Sequence, residues 1–271
     1  MLIEWLRHLT TPCSPRLKRM GYLKELIAIQ SRHQRCRDAW APHLEHCKRI
    51  ILEATTGIPH RRAVVLGSGL LLDIPLGPLC DMFGEVVLVD ILHLPAVIKR
   101  ARLLANVRLV DADCSGLADA TWDHVCDGRT GPLPVPVFDD SFCQDSDLIV
   151  SANLLTQLPL APLGWVQGMG EVYSKDETRT FARAIIDHHL EFLKHQTGRV
   201  CLLSETERQI LQGGEVLEVI DPLFGAALPM SGLKWNWNIA PRPEITPHID
   251  LRFRMTGIAD LKTAGGLNRK T

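Results

Sequence analysis

Residues 63–90 read AVVLGSGLLLDIPLGPLCDMFGEVVLVD, and this stretch decides the fold class. It contains two continuous apolar runs, at residues 63–66 and 86–89; the first ends at Gly67 and the second at Asp90. Continuous apolar runs of this length are typical of strands that are buried on both faces. Because the residues between the runs leave room for a helix, the stretch predicts one strand–turn–helix–strand unit of a parallel sheet.

The rest of the chain extends this pattern in both directions. Residues 1–57 have helical periodicity, which predicts an N-terminal helical cap (residues 1–57) on a sheet domain (residues 58–271). Residues 233–239 and 248–255 alternate between apolar and polar side chains, which predicts an antiparallel hairpin at the C-terminal end. Further buried strands are predicted at residues 107–110, 147–150 and 200–203. We therefore predict an α/β fold with a mostly parallel, seven-stranded sheet.

Composition sets broad limits on the function. The chain has 271 residues, of which 46% are hydrophobic and 23% charged, and this composition excludes a disordered or low-complexity protein. The formal net charge is only −1, so the overall balance requires no polyanionic partner. Residues 1–62 nevertheless hold twelve Lys and Arg against five Asp and Glu. We call residues 1–62 the basic segment.

The cysteines and the apolar segments indicate the compartment. The eight cysteines form no C-x-x-C pair, which argues against a zinc ribbon and against a dithiol redox site. A chain of this length folds without a disulfide framework, and its first residues lack the apolar segment of a signal peptide. The longest apolar run is interrupted by Asp73, Pro75 and Pro78, so it is unsuited to spanning a membrane. We predict a reduced, cytoplasmic protein.

The glycine turn after the first strand predicts a nucleoside-type ligand. Such a turn lets the backbone approach a ligand at the carboxyl end of a strand, and Asp90 is placed to accept hydrogen bonds from ribose hydroxyls. Leu72 occupies the place of the third glycine of a dinucleotide fingerprint, which disfavours an NAD(P)-dependent oxidoreductase. A Walker A loop is also absent from the sequence. Alternatively, the glycines serve packing and Asp90 caps the next helix.

Four segments together resemble the class I S-adenosylmethionine-dependent methyltransferases, from about residue 62 to residue 255. The segments are VVLGSGLLLDIPL at 64–76, VVLVDILH at 86–93, VRLVDADCSGL at 107–117 and DLIVSANLLTQLP at 147–159. Each is a loose motif, and the order and spacing of the four carry the similarity. The resemblance implies a Rossmann-like sheet, S-adenosyl-L-methionine as cofactor and transfer of a methyl group.

The resemblance also implies which residues hold the cofactor. One part of the cofactor would lie at the end of each of the first four strands: the methionine part at the glycine turn, the ribose and adenine at the next two, and the methyl group at the fourth. The implied residues are Gly67, Ser68 and Gly69; Asp90 and Ile91; Asp113 (with Asp111 as a rival) and Cys114; and Ser151, Ala152 and Asn153. The family usually has an acid two residues before the first glycine, where this chain has Val65. Its absence leaves the amino group of the cofactor without one usual partner.

No catalytic residue is identified from the sequence. Methyl transfer from a sulfonium is an in-line displacement with an activated leaving group, so alignment of the reactants supplies much of the rate. A base is required only when the nucleophile arrives protonated.

Aromatic side chains are the candidates for binding the methyl acceptor. Trp235 and Trp237 lie two residues apart on a predicted strand, hence on one face of the hairpin, and Trp40 and His43 belong to the helical segment. Together they would form the wall of a pocket for an aromatic or cationic substrate; alternatively they cover the core. His43 and Cys47 share a helix face, but the sequence offers no acid or second pair to complete a metal site, so none is predicted.

We predict a methyltransferase that acts on a small molecule. The alternative is a non-catalytic methyltransferase-like protein whose basic helices bind a protein or RNA partner. The basic segment lacks interleaved aromatic residues, and Ser151-Ala152-Asn153-Leu154 stands where N-P-P-Y would indicate methylation of adenine amino groups in nucleic acid. Both features disfavour a nucleic-acid substrate.

Overall fold

The strands of the computed structural model, which describes residues 11–229 and 231–264, join in a single sheet. They are β1 (Arg62–Leu66), β2 (Glu85–Asp90), β3 (Val107–Asp111), β4 (Leu148–Ala152), β5 (Arg199–Gln212), β6 (Glu215–Ile220), β7 (Leu233–Ala240) and β8 (Ile249–Ile258). The helices of the same part of the chain are α1 (Pro15–Arg19), α2 (Tyr22–Arg35), α3 (Arg37–Ala54), α4 (Leu76–Met82), α5 (Pro95–Ala101), α6 (Ala118–Cys126), α7 (Leu160–Gln167), α8 (Lys175–His195) and α9 (Leu261–Ala264).

The strand order is β3-β2-β1-β4-β5-β8-β7, with β6 paired to β5. Strands β1 to β5 are parallel, whereas β8 runs antiparallel between β5 and β7. This order confirms the predicted α/β fold with its Rossmann-like parallel sheet and antiparallel C-terminal end.

The sheet has eight strands, one more than the sequence predicts. The fifth strand is much longer than residues 200–203, and its far end pairs with β6 through a turn at Gly213 and Gly214. Both glycines have positive φ, +60° and +96°, as the tightest hairpin turns require. The periodicity of β6 is hard to recognise because nearly all of its side chains are exposed.

The point where the strand order reverses locates the candidate site. β1 pairs with β2 on one side and with β4 on the other, so the connections after β1 and β4 leave the sheet in opposite directions. In open α/β sheets this arrangement opens a crevice outside the carboxyl ends of the strands. The segments that follow β1, β2, β3 and β4 therefore meet at one edge, which we call the carboxyl edge.

The N-terminal helices divide between two positions. In α3, Cys47, Ile50 and Ile51 are buried against one face of the sheet, so α3 belongs to the helix layer of the core. In α2, Leu23 and Ile27 pack against Leu92 and Leu94 of the segment that follows β2, so α2 covers part of the carboxyl edge. Residues 1–10, the first part of the predicted cap and the segment assessed for a signal peptide, lie outside the described residues.

Two segments of the structure have details that the sequence does not specify. Helix α4 does not begin directly after the glycine turn, because Leu71 has φ +58° and Pro75 precedes the first helical residue. Residues 119–145 have no clean period, which predicts a loop or lid with room for a short helix; the structure has most of α6 and a short 3-10 turn at Ser141–Cys143 in this stretch. All eight cysteines are free thiols. None of the described helices combines the length and the apolar character that a membrane span needs.

The position of α3 predicts a large loss of stability for Ile51→Ala. Ile51 is fully buried, and truncation of such a side chain typically lowers the free energy of unfolding by about 2–5 kcal/mol. Leu103→Ala is the matched control, since Leu103 is 79% exposed and its truncation should change stability by at most ~0.5 kcal/mol. Urea denaturation measures both. A loss below about 1 kcal/mol for Ile51→Ala would mean that α3 is not part of the core.

Candidate functional site

The glycine turn after β1 is held by backbone contacts that exclude a side chain at its first position. The N–H groups of Gly67 and Ser68 both donate to the carbonyl oxygen of Val89, at 2.9 and 3.1 Å. Gly67 has φ +75°, and a Cβ there would lie 2.9 Å from Leu154 Cβ and 3.2 Å from the oxygen of Ala152. The turn therefore rests directly on the segment that follows β4, which explains the glycine.

Asp90, the last residue of β2, connects two segments of the carboxyl edge. Its Oδ2 accepts from the N–H of Gly69 at 2.7 Å, and its Oδ1 accepts from the N–H of Ile91 at 2.8 Å. Burial raises the pKa of the Asp90 carboxyl, and these N–H donors offset part of that rise. A carboxylate offers about four acceptor positions, so Asp90 can still accept from a ligand.

The space beside Gly69 is open. A Cβ built on Gly69 meets no atom nearer than the Gly67 oxygen at 3.8 Å, whereas a Cβ on Gly67 meets several. The two glycines of the turn therefore differ in role. Gly67 allows close packing within the protein, and Gly69 leaves open space on the outer side of the turn.

Asp113 caps a helix. Its Oδ1 accepts from the N–H and hydroxyl of Ser115, at 2.9 and 2.6 Å. Its Oδ2 accepts from the N–H groups of Leu117 and Ala118 at the start of α6, at 2.8 and 2.7 Å. These four hydrogen bonds use the acceptor positions of the carboxylate within the protein. The next residue, Cys114, is buried, and burial raises the pKa of its thiol well above the usual range.

A buried histidine that the sequence analysis did not select links the ends of three strands. His93 Nδ1 lies 2.6 Å from Asp111 Oδ1, and its Nε2 lies 3.3 Å from the hydroxyl of Ser68. Because a carboxylate only accepts, Nδ1 donates to Asp111, while Nε2 forms the hydrogen bond with the Ser68 hydroxyl. Ser68 is 1% exposed, so this Ser–His–Asp series positions the turn and does not present a nucleophile to substrate.

The end of β4 contributes one residue to the carboxyl edge. Ser151 is fully buried, and its hydroxyl lies 3.0 Å from Nε2 of His189 in α8. Burial lowers the pKa of His189 to about 3. Ala152 is also buried, but it lies on the other face of the sheet, among the core residues beneath α3. Of the three residues predicted to border the methyl group, only Asn153 is partly exposed.

Asn153 reaches an acid that the sequence analysis did not assign. Its Nδ2 donates to Asp73 Oδ2 at 2.6 Å and to Cys47 Sγ at 3.5 Å. The amide oxygen of Asn153 is buried and has no hydrogen-bond partner. Burial raises the pKa of both the Asp73 carboxyl and the Cys47 thiol. An acid in an irregular loop has no periodicity that would have marked it.

His43, Cys47 and Asp73 have the donor types of a metal site, but their hydrogen bonds do not suit one. Their potential ligand atoms lie within 4.8 Å of one another. Trp235 Nε1, which can only donate, lies 3.1 Å from His43 Nδ1, so Nδ1 accepts and Nε2 carries the hydrogen. Burial also lowers the pKa of His43 to about 3, so the ring is neutral. A metal at Nε2 would have to displace this hydrogen.

The four predicted acceptor-binding residues meet where α3 packs on β7. The His43 ring stacks on Trp237, with centroids 3.8 Å apart and planes 3° apart. Trp40 meets Trp237 edge-on and donates from Nε1 to the Ile239 oxygen at 2.9 Å. Trp40 and His43 are 2% and 1% exposed. This aromatic cluster fits the alternative that these residues cover the core, although Trp235 and Trp237 remain partly exposed.

No family model matches the chain, and no curated protein does. Among solved structures, the chain is similar to the 1,6-didemethyltoxoflavin-N1-methyltransferase of Burkholderia thailandensis with bound 1,6-didemethyltoxoflavin and S-adenosylhomocysteine (13% identity, 92% of each chain, TM-score 0.41). It is also similar to the N-methyltransferase NodS of Bradyrhizobium japonicum (11%, 80% of this chain and 86% of that chain, 0.36) and to the 23S rRNA methyltransferase ErmE (12%, 80% and 69%, 0.32). Because these TM-scores are below 0.5, the fold assignment is based on the strand order of this chain.

The contacts of Gly67 predict that Gly67→Ala destabilises the protein more than Gly57→Ala. Both glycines have nearly the same positive φ, +75° and +73°, so each substitution carries a similar conformational cost of about 1–2 kcal/mol. A Cβ on Gly57 meets nothing within 4 Å, whereas one on Gly67 overlaps the segment after β4. We expect an additional loss of about 1–3 kcal/mol for Gly67→Ala in urea denaturation. Equal losses would contradict the close packing of the turn.

Proposed function

We propose that this protein is an S-adenosylmethionine-dependent methyltransferase that acts on a small molecule. The observation that carries the proposal is the glycine turn at the reversal of strand order, with its open side at Gly69 and its N–H bonded to Asp90. An acid that positions a glycine turn and retains acceptor positions is suited to a ligand with ribose hydroxyls. The four-segment resemblance agrees with this placement.

The residues of the carboxyl edge fit this cofactor. The open space beside Gly69 would admit the methionine part, Asp90 would accept from the ribose diol, and Ile91 would pack against adenine. We assign the acid near adenine to Asp111 in place of Asp113, because Asp113 is occupied as a helix cap and the Asp111 side chain is 72% exposed. When bound, the cofactor supplies a methyl group on a sulfonium, which is an activated leaving group.

The contribution of the protein is alignment and exclusion of water. Helix α2 covers the segment after β2 through Leu23 and Ile27, and the His93 contacts connect the turns that follow β1 and β3. A rigid edge of this kind holds two reactants in line without further chemistry, and alignment supplies much of the rate of a displacement. We assign these roles to α2 and to His93 as positioning elements.

The ion pairs of the basic segment favour a small acceptor over RNA. Arg16 pairs with Asp119 at 2.7 Å, and Arg32 and Arg35 both approach Glu244, at 3.6 and 2.6 Å. These cations are engaged within the chain, whereas affinity for nucleic acid depends on cations that neutralise phosphates. Titration with S-adenosylhomocysteine tests the non-catalytic alternative, in which the helices bind a protein or RNA partner.

The proposal predicts that the protein binds S-adenosylhomocysteine in isothermal titration and that Gly69→Val abolishes the binding. A side chain at Gly69 would occupy the open side of the turn. Gly128→Val is the matched control, because Gly128 also has positive φ (+65°, against +49°) and open space around its Cβ, but lies after α6. Both variants should lose similar thermal stability, and only Gly69→Val should lose binding.

Two outcomes would contradict the proposal. Absence of heat for the wild-type protein at millimolar ligand would exclude the cofactor and leave the non-catalytic alternative. Binding by Gly69→Val at wild-type affinity would remove the glycine turn from the cofactor site.

A further inference from the structure

Asp73 is a carboxylate without a counter-charge. It lies in the loop between the glycine turn and α4, and its hydrogen bonds come from the Asn153 amide and from its own backbone. Among the described residues, Asp73 forms no salt bridge, and Lys48 acts on it only from a distance. A buried charge is normally paired, because burial without a partner is costly. In the free protein the loop therefore holds a carboxyl group whose charged form is unfavourable.

The groups around Asp73 cannot supply the missing positive charge. His43 is kept neutral by its burial and by the hydrogen bond from Trp235, and the Cys47 thiol is protonated because burial raises its pKa. Asn153 contributes a dipole and no charge. None of these neighbouring side chains therefore carries a positive charge that pairs with the Asp73 carboxylate.

Asn153 provides a second, independent sign of a missing ligand. Its Oδ1 is buried and accepts no hydrogen bond, and its backbone has φ +51°, which non-glycine residues adopt rarely. Strained backbone of this kind is concentrated at functional sites. The Asn153 amide thus contacts the Asp73 carboxylate through its Nδ2, while its oxygen remains an acceptor without a donor.

The two acceptors also border the proposed cofactor site. The residues on either side of Asn153, Ala152 and Leu154, are the ones that Gly67 contacts. Val65, near the end of β1, is apolar and fully buried, so it contributes no charge to the carboxyl edge. An acceptor pair beside the turn is thus the available partner for a cationic group of a ligand that lies there.

We propose that Asp73 and Asn153 Oδ1 bind an ammonium group of a ligand. An ammonium group carries one positive charge and several N–H donors, which matches a carboxylate and an unpaired amide oxygen on two side chains in contact. The inference rests on the proposed function for the origin of that group, which is either the amino group of the cofactor or that of an amine acceptor. The position beside the glycine turn favours the amino group of the cofactor.

The first arm of the test compares S-adenosylhomocysteine with its analogue that lacks the α-amino group, by isothermal titration. Wild-type protein should bind S-adenosylhomocysteine about 10- to 100-fold more tightly than the analogue, the effect of a hydrogen-bonded charge pair. Asp73→Asn should lose this preference and bind the two ligands alike. Asp127→Asn is the control, because Asp127 is an exposed acid paired with Arg129, and it should keep the wild-type preference.

The second arm tests the amine acceptor. Propylammonium chloride, with propanol as the uncharged control, is titrated into protein saturated with S-adenosylhomocysteine and followed by NMR. Suppose that the first arm shows the same ligand preference in wild type and in Asp73→Asn. If wild-type protein then binds propylammonium and Asp73→Asn does not, the site is assigned to the amine acceptor. Absence of coupling to Asp73 in both arms would overturn the proposal.

Two controls separate this inference from its premises. Urea denaturation of Asp73→Asn without ligand should give a midpoint no lower than that of the wild type, because the substitution removes an unpaired charge and keeps the shape. The comparison of the two ligands on wild-type protein stands even if the variant fails to fold. If wild-type protein does not bind S-adenosylhomocysteine, the proposed function fails, and the propylammonium titration of the free protein alone decides this inference.

Discussion

The hydrogen bond from the Gly69 N–H to the Asp90 carboxylate is the contact on which the candidate site depends. It joins the turn after β1 to the end of β2, and the same carboxylate holds Ile91 at the start of the next segment. With both ends fixed, the carboxyl edge has a defined shape before any ligand arrives. A site that is ordered in advance loses less conformational entropy on binding.

Two partly buried carboxylates at this edge have different hydrogen-bond partners. Asp90 accepts from backbone N–H groups, whereas Asp73 has an amide and no cation. Burial raises the pKa of both, because it makes the charged form of each carboxyl less favourable. Groups of this type often belong to functional sites, because their cost is recovered only when a ligand binds. On the proposed function, the protein would exchange stability of the free state for affinity at this edge.

The N-terminal helices show how one apolar segment serves two purposes. The C-terminal half of α3 completes the helix layer over the sheet, and the middle of the helix places His43 and Cys47 beside Asp73 at the carboxyl edge. Helix α2 then covers the segment after β2. Stability and access to the site are therefore coupled through the same helices, since a change that loosens α3 also moves the residues beside Asp73.

The sequence by itself determined the positions of the buried parallel strands, the glycine turn and Asp90, because these features are local. Buried strands need continuous apolar residues, and a positive φ favours glycine. Only the tertiary structure decided which side chains share the edge. Asp73 meets Asn153 across 80 residues, and His43 meets Trp235 across 192, and no local pattern encodes such pairs. The tertiary structure also decided that Asp113 caps a helix and that Ser151 faces the core. The sequence shows an aspartate or a serine, but it does not show which groups surround the side chain.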